Sequence, residues 1–204
     1  MYDTSELRPH IRDIVESDPL FNSAPSQLLT VSNAKTQHHN KFMALLVRDI
    51  ERVQRMADRQ GLKLAVRLNG TSDIRWEKQY MDTAPFNVNS TYHRTIFDMF
   101  PTTQFYDYTK IPGRVVPSNY DLTFSGSARV EFQPILAKQL KHNPSSRLAI
   151  VTKNQFVLAV AEAAGRSGDA HDLRFLDPQG VKIILSAKGK MKNDTSGFCY
   201  GGQP

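Results

Sequence analysis

Short apolar segments alternate with helical segments along most of the chain, and this alternation restricts the fold more than any other feature of the sequence. Strands are predicted at residues 62–68, 103–108, 120–124, 147–151, 173–176 and 181–185. Helices are predicted at 41–60, 130–140 and 155–164, and a further helical stretch is predicted within residues 77–100. Parallel neighbours in a sheet need long crossover connections, which helices supply. The sequence therefore predicts an α/β fold with a mostly parallel sheet of about six strands and crossover helices. The same pattern fits an open sheet or a partial (β/α) barrel.

The length and composition of the chain favour one domain. The chain has 204 residues, of which 40% are hydrophobic, and this is enough to bury one core. We expect a single α/β domain over residues 1–204, with an N-terminal helix (residues 5–16) and loop at 1–40, a core at 41–198 and a frayed tail at 199–204. Apolar residues three and four positions apart, from Phe42 to Met56, predict the amphipathic helix that opens the core, and Gly61 is predicted to end it.

Charge and residue types restrict the partners of the chain. The formal net charge of +6 favours polyanions such as nucleic acid, because a basic surface attracts phosphates. A single cysteine, Cys199, cannot form a multi-cysteine zinc or iron–sulfur site, and His38 and His39 lack further ligands at metal spacing, so no metal or cofactor is predicted. The chain contains no apolar window of about 18 residues. We therefore expect a soluble, intracellular protein without a membrane partner, and the oligomeric state is left open.

Polar side chains collect directly after the predicted strands. Parallel α/β folds bind ligands at the carboxyl ends of their strands, so these side chains form the predicted site. The candidate ligand-binding residues are Asn69, Thr71, Ser72, Asp73, Tyr106, Asp107, Tyr108, Lys110, Arg114, Ser125, Lys153, Asp177, Lys188 and Lys190. The alternative is that each of them is a turn or helix-capping residue, since Asn-Gly, Ser-Asp and Asp-Pro pairs are common in turns and caps.

Binding of a phosphate-bearing ligand is one chemistry that these residues suit. The basic side chains of the set can contact phosphates, and Tyr106, Tyr108 and Trp76 can stack on bases. Two interpretations fit the C-terminal lysines. Lys182, Lys188, Lys190 and Lys192 form a solvated face, or the spacing of two places those at 188, 190 and 192 on one side of an extended strand.

Catalysis on an anionic substrate is the other chemistry. Asp73 or Asp107 can act as the acid–base group, and Lys110 or Lys188 can stabilise the negative charge of a substrate. A structural ion pair between Asp107 and Lys110 is the competing interpretation. The catalytic candidates are therefore Asp73, Asp107 and Lys110.

Six motifs carry a family resemblance over about residues 28–198. They are residues 32–36 (SNAKT), 67–74 (RLNGTSDI), 105–110 (FYDYTK), 119–120 (NY) with 122–125 (LTFS), 172–178 (DLRFLDP), and 187–190 (AKGK) with 194–198 (DTSGF). In content and order they resemble the gene-product-88-like proteins of bacteriophages and plasmids. That family is similar to radical S-adenosylmethionine barrels, in which three cysteines hold an iron–sulfur cluster. Here the cysteine-rich segment is missing, because residues 33–36 run through 37–40 directly into the predicted helix.

The resemblance and the residues together predict a phage-encoded binding protein in the cytoplasm of a bacterial host. Its expected partner is nucleic acid, another phosphate-bearing ligand, or a host protein that handles such a ligand, and inhibition of host defence is one form of this hypothesis. The alternative is a cluster-free enzyme with an Asp/Lys active site at the strand ends that acts on an anionic substrate.

Overall fold

The computed structural model describes residues 2–3, 31–70, 72–82 and 93–201 of the chain. Its contacts divide the chain into two compact units, the first formed by residues 1–70 and 74–105 and the second by residues 71–73 and 106–204. The predicted helix at residues 5–16 and the candidate residue Thr71 lie outside the described residues. The prediction of a single domain, which concerns independent folding, stays a prediction.

The first unit contains the longest helix of the described residues. This helix, α1, spans Val31–Arg59. It buries one apolar face, formed by Met43, Leu46, Ile50, Val53 and Ala57. It ends where predicted, because Gly61 adopts a φ of 65° and the amide of Leu62 donates to the carbonyl of Ala57 at 2.9 Å. The predicted start at residue 41 is wrong, because the mostly polar residues before Phe42 continue the helix.

Short strands complete the first unit. β1, Tyr2–Asp3, pairs in parallel with β2, Lys63–Val66. β2 also pairs in parallel with the start of β5, Gln104–Thr109. β3, Met81–Asp82, and β4, His93–Arg94, pair antiparallel with each other.

The helical stretch predicted within residues 77–100 is present, but in the described residues it is short. Trp76–Lys78 forms a single 3-10 turn, and the helix α2 is limited to Ile96–Met99. A capping box of Thr95 and Asp98 starts α2. The apolar residues that suggested a longer helix include the first two of α2, which are buried there, and residues 83–92 lie outside the described residues.

The second unit contains the remaining strands of the sheet. β6, Tyr120–Ser125, pairs in parallel with β7, Arg147–Thr152, which pairs in parallel with β8, Lys182–Ser186. The helix α3, Gln133–His142, connects β6 to β7, and α4, Gln155–Ala163, follows β7. The strand order of the sheet is β1-β2-β5-β6-β7-β8. The predicted α/β fold, with a parallel sheet and crossover helices, is confirmed.

The predicted strand at residues 173–176 is wrong, because Arg174–Leu176 forms a 3-10 helix. The side chain of Arg174 is buried, pairs with the carboxylate of Asp177 at 3.1 Å and donates to the carbonyl of Gly168 at 3.1 Å. A buried guanidinium requires such fixed partners, and the short helix brings the carboxylate three residues later next to it.

The lysines that follow β8 are not in an extended strand, so their predicted arrangement on one side of a strand is wrong. Residues Gly189–Asn193 form a 3-10 helix, which begins at a glycine with a φ of 52°. Lys190 and Lys192 lie in this helix and are exposed.

Part of the predicted tail is folded against β7. Cys199 is buried, and the amide of Tyr200 donates to the carbonyl of Val151 at 2.8 Å. The carbonyl of Tyr200 accepts from the hydroxyl of Thr152 at 2.8 Å. The chain is therefore ordered at least as far as Tyr200, and residues 202–204 lie outside the described residues.

Candidate functional site

The carboxylate of Asp73 organises the end of β5. Its Oδ1 accepts from the hydroxyl of Thr109 at 2.8 Å and from Nη1 of Arg114 at 3.1 Å, and its Oδ2 accepts from the amide of Lys110 at 2.6 Å. The side chain of Arg114 is only 2% exposed and that of Asp73 is 28% exposed, so the guanidinium side of this ion pair is shielded from water. Asp73 therefore fixes the backbone that carries Lys110, and it is a positioning residue.

The carboxylate of Asp107 is buried inside the second unit. Its Oδ2 accepts from the hydroxyl of Tyr120 at 2.8 Å, and the guanidinium of Arg114 lies 5.7 Å from the centre of the Tyr120 ring. Burial raises the pKa of Tyr120, and the negative charge of Asp107 raises it further. With 1% exposure and a neutral phenol as its partner, Asp107 serves as a core polar residue, and it gives a substrate no direct access to its carboxylate.

The ammonium group of Lys110, at the end of β5, is held by two hydrogen bonds and two aromatic rings. Its Nζ donates to the hydroxyl of Ser125 at 3.0 Å and to the carbonyl of the same residue at 3.2 Å. The ammonium also lies 4.7 Å from the ring centre of Phe198 and 5.2 Å from that of Phe132. Burial lowers the pKa of Lys110, the positive charge of Arg129 lowers it further, and Asp73 acts in the opposite direction.

We name these five residues, Lys110, Ser125, Arg129, Phe132 and Phe198, the strand-end cluster. The ends of β5 and β6 provide Lys110 and Ser125, the chain after β6 provides Arg129 and Phe132, and the C-terminal segment provides Phe198. The positive charge of Arg129 thus acts on the ammonium of Lys110. Positive charge that is concentrated in this way attracts anions.

The segment 194–200 covers the carboxyl ends of β6 and β7. The carboxylate of Asp194 closes a turn by accepting from the amide and hydroxyl of Ser196 and from the amide of Cys199, and the hydrogen bond from the Ser196 hydroxyl is the main cause that lowers the pKa of Asp194. Lys153 donates to the carbonyl of Asp194 at 2.5 Å, and Arg129 donates to the carbonyl of Ser196 at 2.9 Å. The segment is thus held by two basic side chains of the strand ends.

The structure brings several of the predicted residues together. Lys110 and Ser125 are in direct contact, Asp73 and Arg114 support the backbone at Lys110, and Lys153 binds the segment 194–200 beside them.

Other predicted residues have different partners. Lys188 pairs with Asp169 at 2.9 Å, Lys190 lies exposed in the following 3-10 helix, and Asp177 pairs with Arg174. The hydroxyl of Tyr108 donates to Asp172 at 3.0 Å. The contacts of Lys188, Asp177 and Tyr108 therefore give these residues local structural roles that do not involve Lys110.

The aromatic residues that were expected to stack on bases are mostly buried. Tyr106 is 1% exposed and packs against Phe175, with ring centres 5.4 Å apart. Trp76 is 4% exposed, and its Nε1 donates to Oδ1 of Asn69 at 2.9 Å. The prediction that these two side chains stack on a base is therefore wrong, because neither ring face is open to a ligand.

Asn69 has a turn role in the first unit. Its Oδ1 also accepts from the amide of Ile74 at 3.1 Å, and its Nδ2 donates to the carbonyl of the same residue at 3.0 Å. Ser72 is exposed. The Asn-Gly turn after β2 thus follows the capping interpretation at Asn69.

Sequence reasoning missed Arg129, Phe132 and Phe198 as site residues. Arg129 follows Ser125 by four positions, and the strand-end rule would have included it had the whole loop after β6 been read. Phe198 lies in the motif at residues 194–198, whose contact with Lys110 depends on the chain returning to the strand ends. No local pattern predicts that return.

Among the described residues, no group of three or more histidine, cysteine, aspartate and glutamate side chains is arranged to hold a metal ion. Within the same part of the chain, no helix is long and apolar enough to cross a membrane.

The amine of Lys110 should titrate at a lower pH than those of the exposed lysines. Burial and the charge of Arg129 both disfavour its ammonium form, so the proton should leave at a lower pH than is usual for a lysine amine. Reductive methylation with a ¹³C label, followed by an NMR titration, would measure this. The Lys110→Arg variant assigns the signal by removing it. Titration of that signal together with the exposed lysines would contradict the expected effect of burial.

Comparison with known proteins finds no matching curated protein and no matching solved structure. The family model described as gene product 88 matches residues 27–202. The match spans well over half of the chain, and it includes every residue of the strand-end cluster. The chain therefore belongs to the gene product 88 family.

Proposed function

We propose that this protein is a phage-encoded protein that binds nucleic acid through its phosphates, in the cytoplasm of a bacterial host. The observation that carries the proposal is the juxtaposition of Lys110 and Arg129 at the ends of β5 and β6, where the charge of Arg129 lowers the pKa of Lys110. A phosphate placed between them would relieve this repulsion. It would also be attracted by the net charge of +6.

The surroundings of the two cations support a phosphate ligand. Lys153 lies at the adjacent strand end, and its amine is directed to the carbonyl of Asp194 in the covering segment. Phe132 and Phe198 restrict the position of the Lys110 ammonium. A cation that is held in place loses less conformational entropy when it binds a phosphate, so its contact is stronger than that of a free surface lysine.

The test is the salt dependence of binding to a single-stranded and a duplex oligonucleotide, followed by fluorescence anisotropy. Replacement of Lys110 and Arg129 by alanine should weaken binding to every sequence. It should also reduce the slope of log K against log salt concentration by about 1.4–1.8, because each lost phosphate contact removes about 0.7–0.9. The double variant Lys138→Ala, Lys141→Ala removes the same charge from α3 and is the matched control.

Wild-type protein without salt-dependent affinity at low ionic strength would overturn the proposal. The remaining form of the binding hypothesis would then be a host protein that handles nucleic acid, with inhibition of host defence as its consequence. Equal losses in the cluster variant and in the α3 control would show that only net charge matters, and this would also remove the strand-end cluster as the site.

A cluster-free enzyme acting on an anionic substrate is the second candidate. It is favoured by one observation, the lowered pKa of Lys110 with the Ser125 hydroxyl 3.0 Å away, because a lysine with a lowered pKa can act as a base. The Lys110→Arg variant separates the two functions. Arginine keeps the positive charge and should preserve phosphate binding, but it cannot give up a proton and should abolish turnover of an oligonucleotide or nucleotide.

We also propose that the fold is related to radical S-adenosylmethionine barrels, a relation that membership of the gene product 88 family does not by itself establish. It is supported by the parallel strands and by the polar residues at their carboxyl ends. The one cysteine of the chain, Cys199, is buried in the segment 194–200. We therefore propose a function that does not use a cluster held by cysteines of this chain.

A further inference from the structure

A second feature of the second unit, separate from the strand-end cluster, is a cavity of about 270 Å³. It is lined by β6 through Tyr120, Leu122 and Phe124, by α3 through Gln139, and by the loop 111–118. This volume lies just below the roughly 300–1,000 Å³ of pockets that hold drug-sized ligands. The cavity therefore suits a small molecule.

The charges in the cavity wall are already compensated. The guanidinium of Arg114 pairs with Asp73 at 3.1 Å, and the carboxylate of Asp121 accepts from Nη2 of Arg147 at 2.8 Å. A phosphate or another ion would have to compete with these buried pairs and would lose its own hydration. The cavity thus differs from the strand-end cluster, and it favours an uncharged ligand.

The uncharged wall combines amide and hydroxyl groups with apolar side chains. Asn143 and Ser118 are exposed lining residues, and the hydroxyl of Ser146 is buried without a hydrogen-bond partner among the described residues. A buried hydroxyl without a partner is unfavourable unless a ligand or water satisfies it. The apolar part of the wall is made of Ile111, Val116, Pro117, Leu122 and Phe124.

One loop closes this wall. The amide of Gly113 donates to Oε1 of Gln139 at 2.9 Å, and Gly113 adopts a φ of 69° that other residues rarely take. This contact fixes the loop 111–118 against α3, so the cavity is formed before any ligand arrives. A preformed pocket avoids the free-energy cost of ordering a loop on binding.

We propose that this cavity binds the base of a nucleoside. A nucleobase is uncharged, has flat apolar faces for the aliphatic and aromatic wall, and has donors and acceptors along its edge that match side-chain amides and hydroxyls. The nucleoside is either free or part of a nucleic acid strand. The inference does not depend on phosphate binding by the strand-end cluster, because the two sites share no lining residue.

The test uses the ribonucleosides, the deoxyribonucleosides and a single-stranded tetranucleotide as probes, with binding measured by NMR and calorimetry. Ser118→Trp places a large side chain in the wall and should abolish binding of a nucleoside. The matched control Val115→Trp adds the same ring at a position that is 89% exposed and outside the cavity wall, so it should bind as the wild type does. Asn143→Ala, which removes an exposed amide, should weaken binding about fivefold.

The outcomes separate the two sources of the base. Binding of free nucleosides points to a small-molecule ligand, and binding of the tetranucleotide alone points to a base within a strand. Where free nucleosides bind, Ser118→Trp must remove that binding and Val115→Trp must keep it. Where only the tetranucleotide binds, Ser118→Trp must weaken its binding relative to Val115→Trp. Failure of every probe to bind wild-type protein at millimolar concentration, or equal binding by the two tryptophan variants with folds verified by circular dichroism, would overturn the inference.

Discussion

Replacement of Arg147 by alanine should lower the free energy of unfolding by about 3–5 kcal/mol, because it leaves a carboxylate without its partner in a mostly buried site. Arg147 is 1% exposed, and its Nη2 donates to Oδ2 of Asp121 at 2.8 Å, while Nη1 contacts the other carboxylate oxygen. Its Nε donates to the carbonyl of Asp177 at 2.9 Å. The side chain thus joins β6 and β7 to the turn before β8.

Urea unfolding followed by circular dichroism measures this loss. Arg166→Ala removes an exposed arginine and should change stability by no more than about 0.5 kcal/mol, so it controls for the change in net charge. A double variant, Arg147→Met with Asp121→Leu, should lose less than Arg147→Ala alone, since neither charge is then left unpaired. A single variant as stable as the wild type would show that this pair does not hold the strands together.

The Arg147 pair illustrates what the sequence could and could not predict. The apolar run that begins at Arg147 predicted β7 correctly, because strand periodicity is a local property. The pairing with Asp121 depends on the register of two parallel strands, since Thr123 lies opposite Arg147. That register is a property of the paired strands and is not encoded in either strand alone. The buried ion pair was therefore not predicted.

The errors in the predicted secondary structure also arise from interactions that the local sequence does not show. α1 begins at Val31, before its apolar stripe, because hydrogen bonding inside the helix continues where burial no longer shows in the sequence. The apolar residues at 173–176 suggested a strand, but the buried Arg174 requires a turn that brings Asp177 beside it. In both places tertiary or backbone interactions outweigh the local pattern.

The candidate site was predicted only in part, because some of its contacts also depend on tertiary structure. The strand-end rule identified Lys110 and Ser125, and the structure places their side chains in contact at 3.0 Å. It did not identify Phe198, which reaches Lys110 only because the segment 194–200 returns across the ends of β6 and β7. It also assigned chemistry to Asp107, whose carboxylate is occupied by the Tyr120 hydroxyl in the core. A sequence pattern identifies the edge of a sheet, whereas exposure and partners decide which residues on it can act.

Replacement of Asp73 by alanine should destabilise the protein by about 3 kcal/mol, the second large effect that the contacts predict. Its carboxylate is the ion-pair partner of Arg114, whose side chain is 2% exposed, so the change removes the negative charge that compensates a largely buried guanidinium. The change also removes the acceptors of the Thr109 hydroxyl and the Lys110 amide. Asp73→Asn keeps an acceptor oxygen and should lose about half as much, and Asp73→Ala combined with Arg114→Met should recover part of the loss.

The Asp73→Asn substitution also tests whether the carboxylate of Asp73 only supports the fold or in addition raises the pKa of Lys110. The charge of Asp73 raises the pKa of Lys110, so Asp73→Asn should move the titration of the labelled Lys110 amine to a still lower pH. Phosphate binding would then be lost at a lower pH than in the wild type, because the amine becomes neutral earlier as the pH rises. The measurement is the NMR titration of Lys110 beside oligonucleotide affinity as a function of pH. If stability falls while both titrations stay at their wild-type positions, Asp73 supports the fold without acting on Lys110.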